Sequence, residues 1–283
     1  LTINLGDDIG IPFLSKDKLT IVSFDSTHVA DIDLTINGED GNDEVVISGP
    51  VDLGAGDLVV NAEKITVSSS VDAQNVTLTA TADDDGAVDA SGAVLGGIFQ
   101  GLYVALPEAK IDLTGATINA TGNVILTADA TASMSGISPS DLGGAVDVSV
   151  IVAVPSADII LDGTNLTAAG LSATTTSSVT ATFQDNADAG DNSTTNDAAV
   201  TVVVVEGGSS TTVDGASVIS VSGTVVLSAT TDLADIDSVA NGAGGSKGAT
   251  LAVTEIGVDT TVSVGGTSTI GPNAGNEERK NNK

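Results

Sequence analysis

The sequence predicts an all-β protein, a parallel β-helix (β-solenoid) built of repeats of about 50 residues, each expected to make two coils. Three observations predict this fold class. Apolar residues alternate with polar ones at a period of two, which is typical of strands, and no segment has the period of a helix. Similar segments recur along most of the chain. Aromatic residues amount to 2%, so small aliphatic side chains must fill the interior, which suits a narrow core between flat strands.

The repeat is visible in two sets of apolar anchor positions whose consecutive members lie 47 to 54 residues apart. Every unit runs from a Gly-rich or polar approach into an apolar alternating strand, such as the one from Val146 to Val154. A coil usually takes roughly 20–30 residues, so a unit of this size predicts two coils, and about 11 coils would form a rod on the order of 50 Å long. The anchors are Val71, Ile118, Leu166, Ile219 and Ile270, and Val76, Val124, Leu171 and Val225.

Tandem antiparallel β-sandwich modules are the alternative interpretation, because they also consist of short alternating strands joined by turns. Two features disfavour them. A typical sandwich needs about 100 residues, which is twice the length of the unit. The scarcity of aromatic residues also removes the usual anchors of a sandwich core.

The repeat divides the chain into three expected regions. Residues 1–60 are less regular and form an N-terminal solenoid segment with a loop excursion, "IPFLSKDKLTIVSFDSTHVAD". Residues 61–275 form the repeat solenoid. Residues 276–283, "NEERKNNK", form a charged tail. The chain opens at Leu1 without a recognisable leader, so we expect it to be a segment of a longer protein.

Charge and composition exclude several classes of partner. The formal net charge is −30, from 38 acidic and 8 basic residues, so nucleic acid and anionic membrane surfaces are not expected to bind. The absence of cysteine excludes disulfides and thiolate metal sites. Apolar runs such as Val200–Val205 are too short for membrane insertion. Divalent cations remain the expected class of small partner.

One short motif links the sequence to known families. The stretch from Gly38 to Val45, "GEDGNDEV", resembles a single RTX nonapeptide, with Glu39 in place of the second glycine. In that family such motifs bind Ca²⁺ through Asp carboxylates and loop carbonyls. Together with the Thr/Ala/Val/Gly-rich units, the chain is similar to the passenger regions of giant bacterial adhesins of the filamentous-haemagglutinin-like and autotransporter-like kinds. The resemblance implies an extracellular or cell-surface bacterial location and a role as a stalk or adhesive rod.

Acidic clusters are the candidate metal sites, because Ca²⁺ takes 6–8 oxygen ligands. The alternative is that each cluster is a solvated corner that keeps a repetitive β-protein soluble. Calcium is therefore the one expected cofactor, and no catalytic residue is expected. The candidate ligands are Asp40, Asn42 and Asp43, followed by Asp83, Asp84 and Asp85.

The predicted function is a structural and adhesive segment, a rigid rod that presents variable acidic loops and is not an enzyme. The loops are placed at 83–98, 134–144 and 184–199, and the expected partners are neighbouring solenoid segments, identical subunits and cell-surface glycans. A subunit of a self-assembling extracellular filament is the main alternative. A polysaccharide-degrading enzyme is disfavoured because the basic residues are isolated in the sequence and His28 has no evident triad. An ice-binding solenoid is disfavoured because acidic and serine residues interrupt its Thr arrays.

Overall fold

A computed structural model of the chain describes residues 1–5, 17–25, 31–39, 41–84, 101–137, 146–188, 196–243 and 247–271. Within these ranges every regular element is a β-strand, and every strand pair is parallel. The predictions of an all-β fold and of parallel pairing are therefore confirmed. Residues 276–283, the expected tail, lie outside the described residues.

The strands form three parallel sheets. Sheet A contains β1 (Thr2–Asn4), β4 (Leu34–Asn37), β7 (Leu58–Ala62), β10 (Val76–Asp84), β14 (Asn123–Ile137), β18 (Gly170–Asp188) and β21 (Val225–Ala243). Sheet B contains β2 (Lys18–Ile21), β5 (Glu44–Ile47), β8 (Lys64–Val67), β11 (Gly101–Ala105), β12 (Glu108–Asp112), β15 (Val146–Ala153), β16 (Ser156–Asp162), β19 (Asn196–Asp214) and β22 (Lys247–Val264). Sheet C contains β3 (Phe24–Asp25), β6 (Val51–Asp52), β9 (Ser70–Ala73), β13 (Thr117–Ala120), β17 (Asn165–Ala168), β20 (Val218–Val221) and β23 (Thr269–Gly271).

The chain visits the sheets in a fixed cyclic order, A then B then C, and then returns to A. We call one such circuit a layer. The described residues contain seven layers, since sheets A and C each have seven strands. Two layers contribute two consecutive strands to sheet B, β11 with β12 and β15 with β16. At a strand spacing of about 4.8 Å, the stack is roughly 30 Å high.

The repeat anchors are register partners in adjacent layers. Val71 lies opposite Ile118 in sheet C, and Ile118 lies opposite Leu166. In sheet A, Val76 lies opposite Val124. Residues one repeat apart are thus hydrogen-bonded neighbours, so one repeat makes one layer. The prediction of two coils per repeat, with about 11 coils and a rod of about 50 Å, is wrong because the extra residues of each repeat lengthen the strands instead of adding a turn.

One apolar cluster contains residues from all three sheets and runs through all but the outermost layers. It forms because alternate residues of each strand point to the same face, as the alternating burial of β7 and β16 illustrates. Large aliphatic members are fully buried, and each contributes about 1.5–3 kcal/mol by leaving water. They include Leu34, Ile36, Ile47, Leu58, Ile65, Leu78, Ile111, Ile118 and Leu126.

Sheets A and B extend beyond this core by an amount that grows along the chain. The strands of sheet A have 3, 4, 5, 9, 15, 19 and 19 residues, whereas those of sheet C never exceed 4. The longer parts of sheets A and B form a two-sheet extension with an apolar cluster of its own. Its members are Ala105, Ala132, Met134, Ile151, Ala153, Val179, Ala181, Val203 and Val205.

A belt of buried hydroxyl groups separates the two apolar clusters. Along β18, Thr175 and Ser177 lie between the two clusters, and both are fully buried. Thr175 Oγ1 lies 3.4 Å from Thr211 Oγ1 of sheet B, and Thr211 Oγ1 donates to the carbonyl of Ser228 at 2.9 Å. Ser177 Oγ donates to Thr231 Oγ1 at 3.1 Å. Because these buried polar groups are paired, the belt joins the sheets without a large desolvation cost.

Sheet B is interrupted where the extension meets the three-sheet core. Pro107 separates β11 from β12 and Pro155 separates β15 from β16, because proline has no N–H to donate to the ladder. In the next layer the ladder continues through Gly207 and Gly208, where Gly208 donates to the carbonyl of Pro155 at 2.9 Å. A Cβ on Gly208 would lie 1.8 Å from the Asp259 carbonyl oxygen, so only glycine allows the layers to approach this closely.

Candidate functional site

Three acidic residues stack at the corner where the first three layers pass from sheet A to sheet B. Asp17, Asp43 and Glu63 each precede a strand of sheet B, and those strands pair in register. Asp43 is fully buried and Glu63 is 8% exposed. The Asp43 N–H donates to Glu63 Oε2 at 2.6 Å, and the Asp17 N–H donates to Asp43 Oδ1 at 3.2 Å. Backbone donors thus stabilise carboxylates that would otherwise be costly to bury.

This corner contains the RTX-like motif, and its backbone follows the glycine pattern. Glu39, which replaces the second glycine, has φ +71°, and Gly41 has φ +148°. A side chain in the left-handed region is strained by roughly 1–2 kcal/mol. A Cβ on Gly38 would lie 2.8 Å from Asp43 Oδ2, so the first glycine leaves space for the buried carboxyl group.

Of the first set of predicted calcium ligands, the structure describes Asn42 and Asp43. Asn42 is exposed whereas Asp43 is buried. Asp40 lies outside the described residues. Among the residues that the structure describes, no group of three acidic or histidine side chains is placed to hold a metal ion.

Of the second predicted set, the structure describes Asp83 and Asp84. Asp83 and Asp84 are adjacent in β10 and therefore point to opposite faces of sheet A. Asp84 Oδ2 accepts a hydrogen bond from the Leu106 N–H at 3.0 Å, while Asp83 is exposed. Asp85 lies outside the described residues, as does His28. Calcium binding by either set stays a prediction.

Sheet B carries a ladder of charged side chains, which we call the charge ladder and which the linear sequence did not predict. Lys64 and Lys110, which are isolated along the chain, are register neighbours. Each described ladder lysine has a carboxylate partner, so the ladder is an ion-pair network and not an open cationic surface. The pairs are Lys18 Nζ with Glu44 Oε1 at 2.7 Å, Lys64 Nζ with Glu108 Oε2 at 2.5 Å, and Lys110 Nζ with Asp112 Oδ2 at 3.2 Å.

Two carboxyl groups have shifted pKa values. Burial raises the pKa of Asp112, but hydrogen bonds from Thr114 and the charge of Lys110 outweigh it, so the net pKa is lowered. Burial raises the pKa of Asp129, and the charge of nearby Asp83 raises it further. The folded state therefore disfavours the ionised form of Asp129, which lies on the outer face of sheet A.

One row of side chains on the outer face of sheet A consists of amides and hydroxyls. Asn37 Nδ2 donates to Asn4 Oδ1 at 3.0 Å, and Asn61 Nδ2 donates to Asn37 Oδ1 at 3.0 Å. The row continues in register through Thr79 and three further hydroxyl residues. The later residues of the row are Thr127, Thr174 and Ser228.

A depression of about 250 Å³ lies beside this row. It is smaller than the pockets of roughly 300–1,000 Å³ that hold small molecules.

The outer face of sheet B in the extension is aliphatic. In β15 the buried residues are Ser149, Ile151 and Ala153, so the alternating valines between them point outward. The same holds in the neighbouring strands, where Leu251 is 54% and Val253 is 40% exposed. We call this surface the aliphatic face; it comprises Val104, Leu106, Val148, Val150, Val152, Val154, Val200, Val202, Val204, Leu251 and Val253.

The segments predicted as adhesive loops lie between the ends of sheet A and the starts of sheet B in the extension. Their described parts are strand: β14 continues to Ile137, β18 continues to Asp188 and β19 starts at Asn196. The predicted loop boundaries at 83, 134, 184 and 199 are therefore wrong, because strand pairing extends past each of them. The remaining parts, 85–98, 138–144 and 189–195, lie outside the described residues.

In comparisons with known proteins, no family model, no curated protein and no solved structure matches the chain. Among the described residues there is also no helix with the length and apolarity needed to cross a bilayer.

Proposed function

We propose that the chain is a structural and adhesive segment of an extracellular or cell-surface bacterial protein, in which the three sheets are the sides of one parallel β-helix. The observation that carries this proposal is the cyclic order of the sheets together with the shared apolar cluster. A chain that returns to the same three sheets in every layer, with its inward residues in one core, has the connectivity of a solenoid. On this proposal the chain serves mainly as a stiff scaffold.

Ladders along the stack support the role as a scaffold. Asparagine amides bond from layer to layer in sheet A, and Asn119 Nδ2 donates to Asp72 Oδ1 at 2.8 Å in sheet C. Lysine–carboxylate pairs do the same on sheet B. Because each ladder joins consecutive layers, bending the stack would break several contacts at once. A stalk that must resist mechanical force requires such redundancy.

The adhesive part of the proposal rests on the position of the connecting segments. Strands of sheet A run parallel, so the segments that follow β10, β14, β18 and β21 all leave the extension at its outer edge. A ligand that contacts several of them gains affinity by multivalency. We propose cell-surface glycans as the ligand class and calcium as a requirement, because the segment 189–195 and the strand ends beside it are rich in Asp, Asn, Ser and Thr.

The test is retention of the purified chain on immobilised glycans and on whole bacterial and eukaryotic cells, with calcium and with a chelator. Specific, calcium-dependent retention supports an adhesive module. The control is a variant in which residues 189–195 are replaced by a Gly/Ser linker of equal length, because this leaves every described strand intact. If the folded chain is retained nowhere, the adhesive part of the proposal fails and only the scaffold remains.

A further inference from the structure

We propose that the aliphatic face binds the same face of a second copy of this chain, so that two extensions pack sheet against sheet. This interaction goes beyond the proposed function, because it holds whether or not the connecting segments bind a ligand. It is a lateral contact and does not involve the ends of the stack.

The first step is that the alternation of β15 is reversed relative to the usual rule. A half-buried strand normally places its more apolar set of residues inward. Here the buried residues are Ser149, Ile151 and Ala153. The described outward residues are all valine, namely Val148, Val150 and Val152. In β22 the outward set includes Leu251 and Val253, and their register neighbours in β19 are Val200 and Val202. Adjacent strands thus share an outward apolar set, contrary to the usual arrangement, and such a shared departure indicates a functional surface.

The second step is the shape and chemistry of this surface. Its residues stack in straight rows, for example Val150 with Val202 and Val202 with Val253. None of the eleven side chains carries a charge, a hydrogen-bonding group or an aromatic ring, so a glycan or a nucleic acid would find nothing to recognise there. Flat rows of β-branched side chains are instead what the facing sheets of a sandwich interdigitate, at about 10 Å.

The third step is that a second copy supplies the complementary surface. A twofold arrangement places the same patch on both sides of the interface, which is the commonest symmetry of protein dimers. Two acidic residues lie at one corner of the face: Glu255 is the register partner of Val204, and Glu206 is the next outward residue of β19. The centre of the contact is therefore free of like charges, although the chain as a whole carries −30.

The size of the surface sets the expected strength. Each of the eleven outward residues covers about 4.8 Å by 6.6 Å, so the face measures roughly 350 Å² on each copy. This area is comparable to the largest apolar patch of a typical monomer, which is often functional. Two such surfaces bury roughly 700 Å² in total, which is below the 1,200–2,000 Å² of a stable interface, so we expect a weak dimer with half-dimerisation on the order of 10⁻⁴ M.

Sedimentation velocity of the full chain from about 5 to 500 µM tests the proposal. We expect a reversible monomer–dimer equilibrium that strengthens from about 0.05 to 0.5 M NaCl, because salt screens the repulsion between two acidic copies. The test variant is Val150→Thr with Val202→Thr and Val253→Thr, one row through the centre of the face. Threonine keeps the β-branched shape while removing apolar area, and the dissociation constant should rise at least about tenfold.

The matched control removes three aliphatic residues from one row of sheet A: Val59→Thr, Ile125→Thr and Val226→Thr. It should dimerise like the parent chain. Circular dichroism establishes that both variants are folded. A parent chain that stays monomeric at 500 µM in high salt overturns the proposal, and so does association that the central-row variant leaves unchanged. Flotation of a monomeric parent chain with phosphatidylcholine vesicles would overturn it in favour of a lipid occupant.

Discussion

Removal of one complete repeat should leave a folded protein that is one layer shorter. Residues 123–169 contain β14 to β17, and their deletion joins Gly122 to Gly170. Asn123 and Gly170 are register partners, so β18 would take the place of β14 beside β10. The deletion removes strands of 15, 8, 7 and 4 residues and should shorten the stack by about 4.8 Å. We expect cooperative unfolding to persist, because layers of one kind still stack.

A cysteine pair reports the new neighbours directly, since the chain has no cysteine. Thr79 and Thr174 are separated by one intervening residue of the row, Thr127, so their Cα atoms lie about 9.6 Å apart, which is beyond the roughly 7 Å limit for a disulfide. In the deletion variant they become adjacent at about 4.8 Å. The pair Thr79→Cys with Thr174→Cys should therefore oxidise in the deletion variant and not in the full chain, as judged by mass spectrometry.

Deletion of 123–145 is the matched control, because it removes about half a repeat. It takes away β14 alone and forces the chain to pass from sheet C directly into sheet B. We expect this variant to lose cooperative unfolding. A folded half-repeat variant, together with an unfolded whole-repeat variant, would refute the assignment of one layer to each repeat and restore the two-coil interpretation.

Three further predictions concern single residues. Leu78→Ala should lower the free energy of unfolding in urea by about 2.7–5 kcal/mol, because Leu78 is fully buried; Thr77→Ala, on the outer face, is its control and should cost less than about 1 kcal/mol. Asp129→Asn should raise the thermal midpoint at neutral pH, because the raised pKa of Asp129 means that folding disfavours its ionised form. This gain in thermal midpoint should vanish as the pH falls through that pKa, since Asp129 is then protonated. A gain that persists in acid would contradict the reasoning. Gly208→Ala should weaken amide protection in β22, because its Cβ would clash with the Asp259 carbonyl oxygen; unchanged protection by hydrogen exchange would show that the layers can separate.

The strand register was predictable because the core imposes it. Inward positions must stack on inward positions in every layer, so apolar anchors such as Ile118 and Leu166 recur at the spacing of the repeat. The number of residues in a layer was not predictable from the same pattern. Alternation continues without a break from Val124 in the three-sheet core to Met134 in the extension, and nothing in it marks where one core ends and the other begins.

The surfaces were less predictable than the strands. A run such as Val200–Val205 is apolar on both faces, so its sequence cannot show which side meets solvent. The charge ladder was hidden for a different reason. Lys64 and Lys110 are far apart along the chain, and only the pairing of β8 with β12 makes them neighbours. The acidic corner was partly anticipated, since the RTX-like motif identified Asp43 but not its contact with Glu63.

The growth of the strands along the described stack gives it a taper, and the taper makes the contact between neighbouring layers unequal along the chain. The first layer offers strands of 3, 4 and 2 residues, whereas the last offers strands of 19, 18 and 3. Layers late in the described stack therefore share many more backbone pairs than the first two, which pair over only three residues in sheet A. The late layers should be the harder ones to separate, so local opening should begin among the early layers.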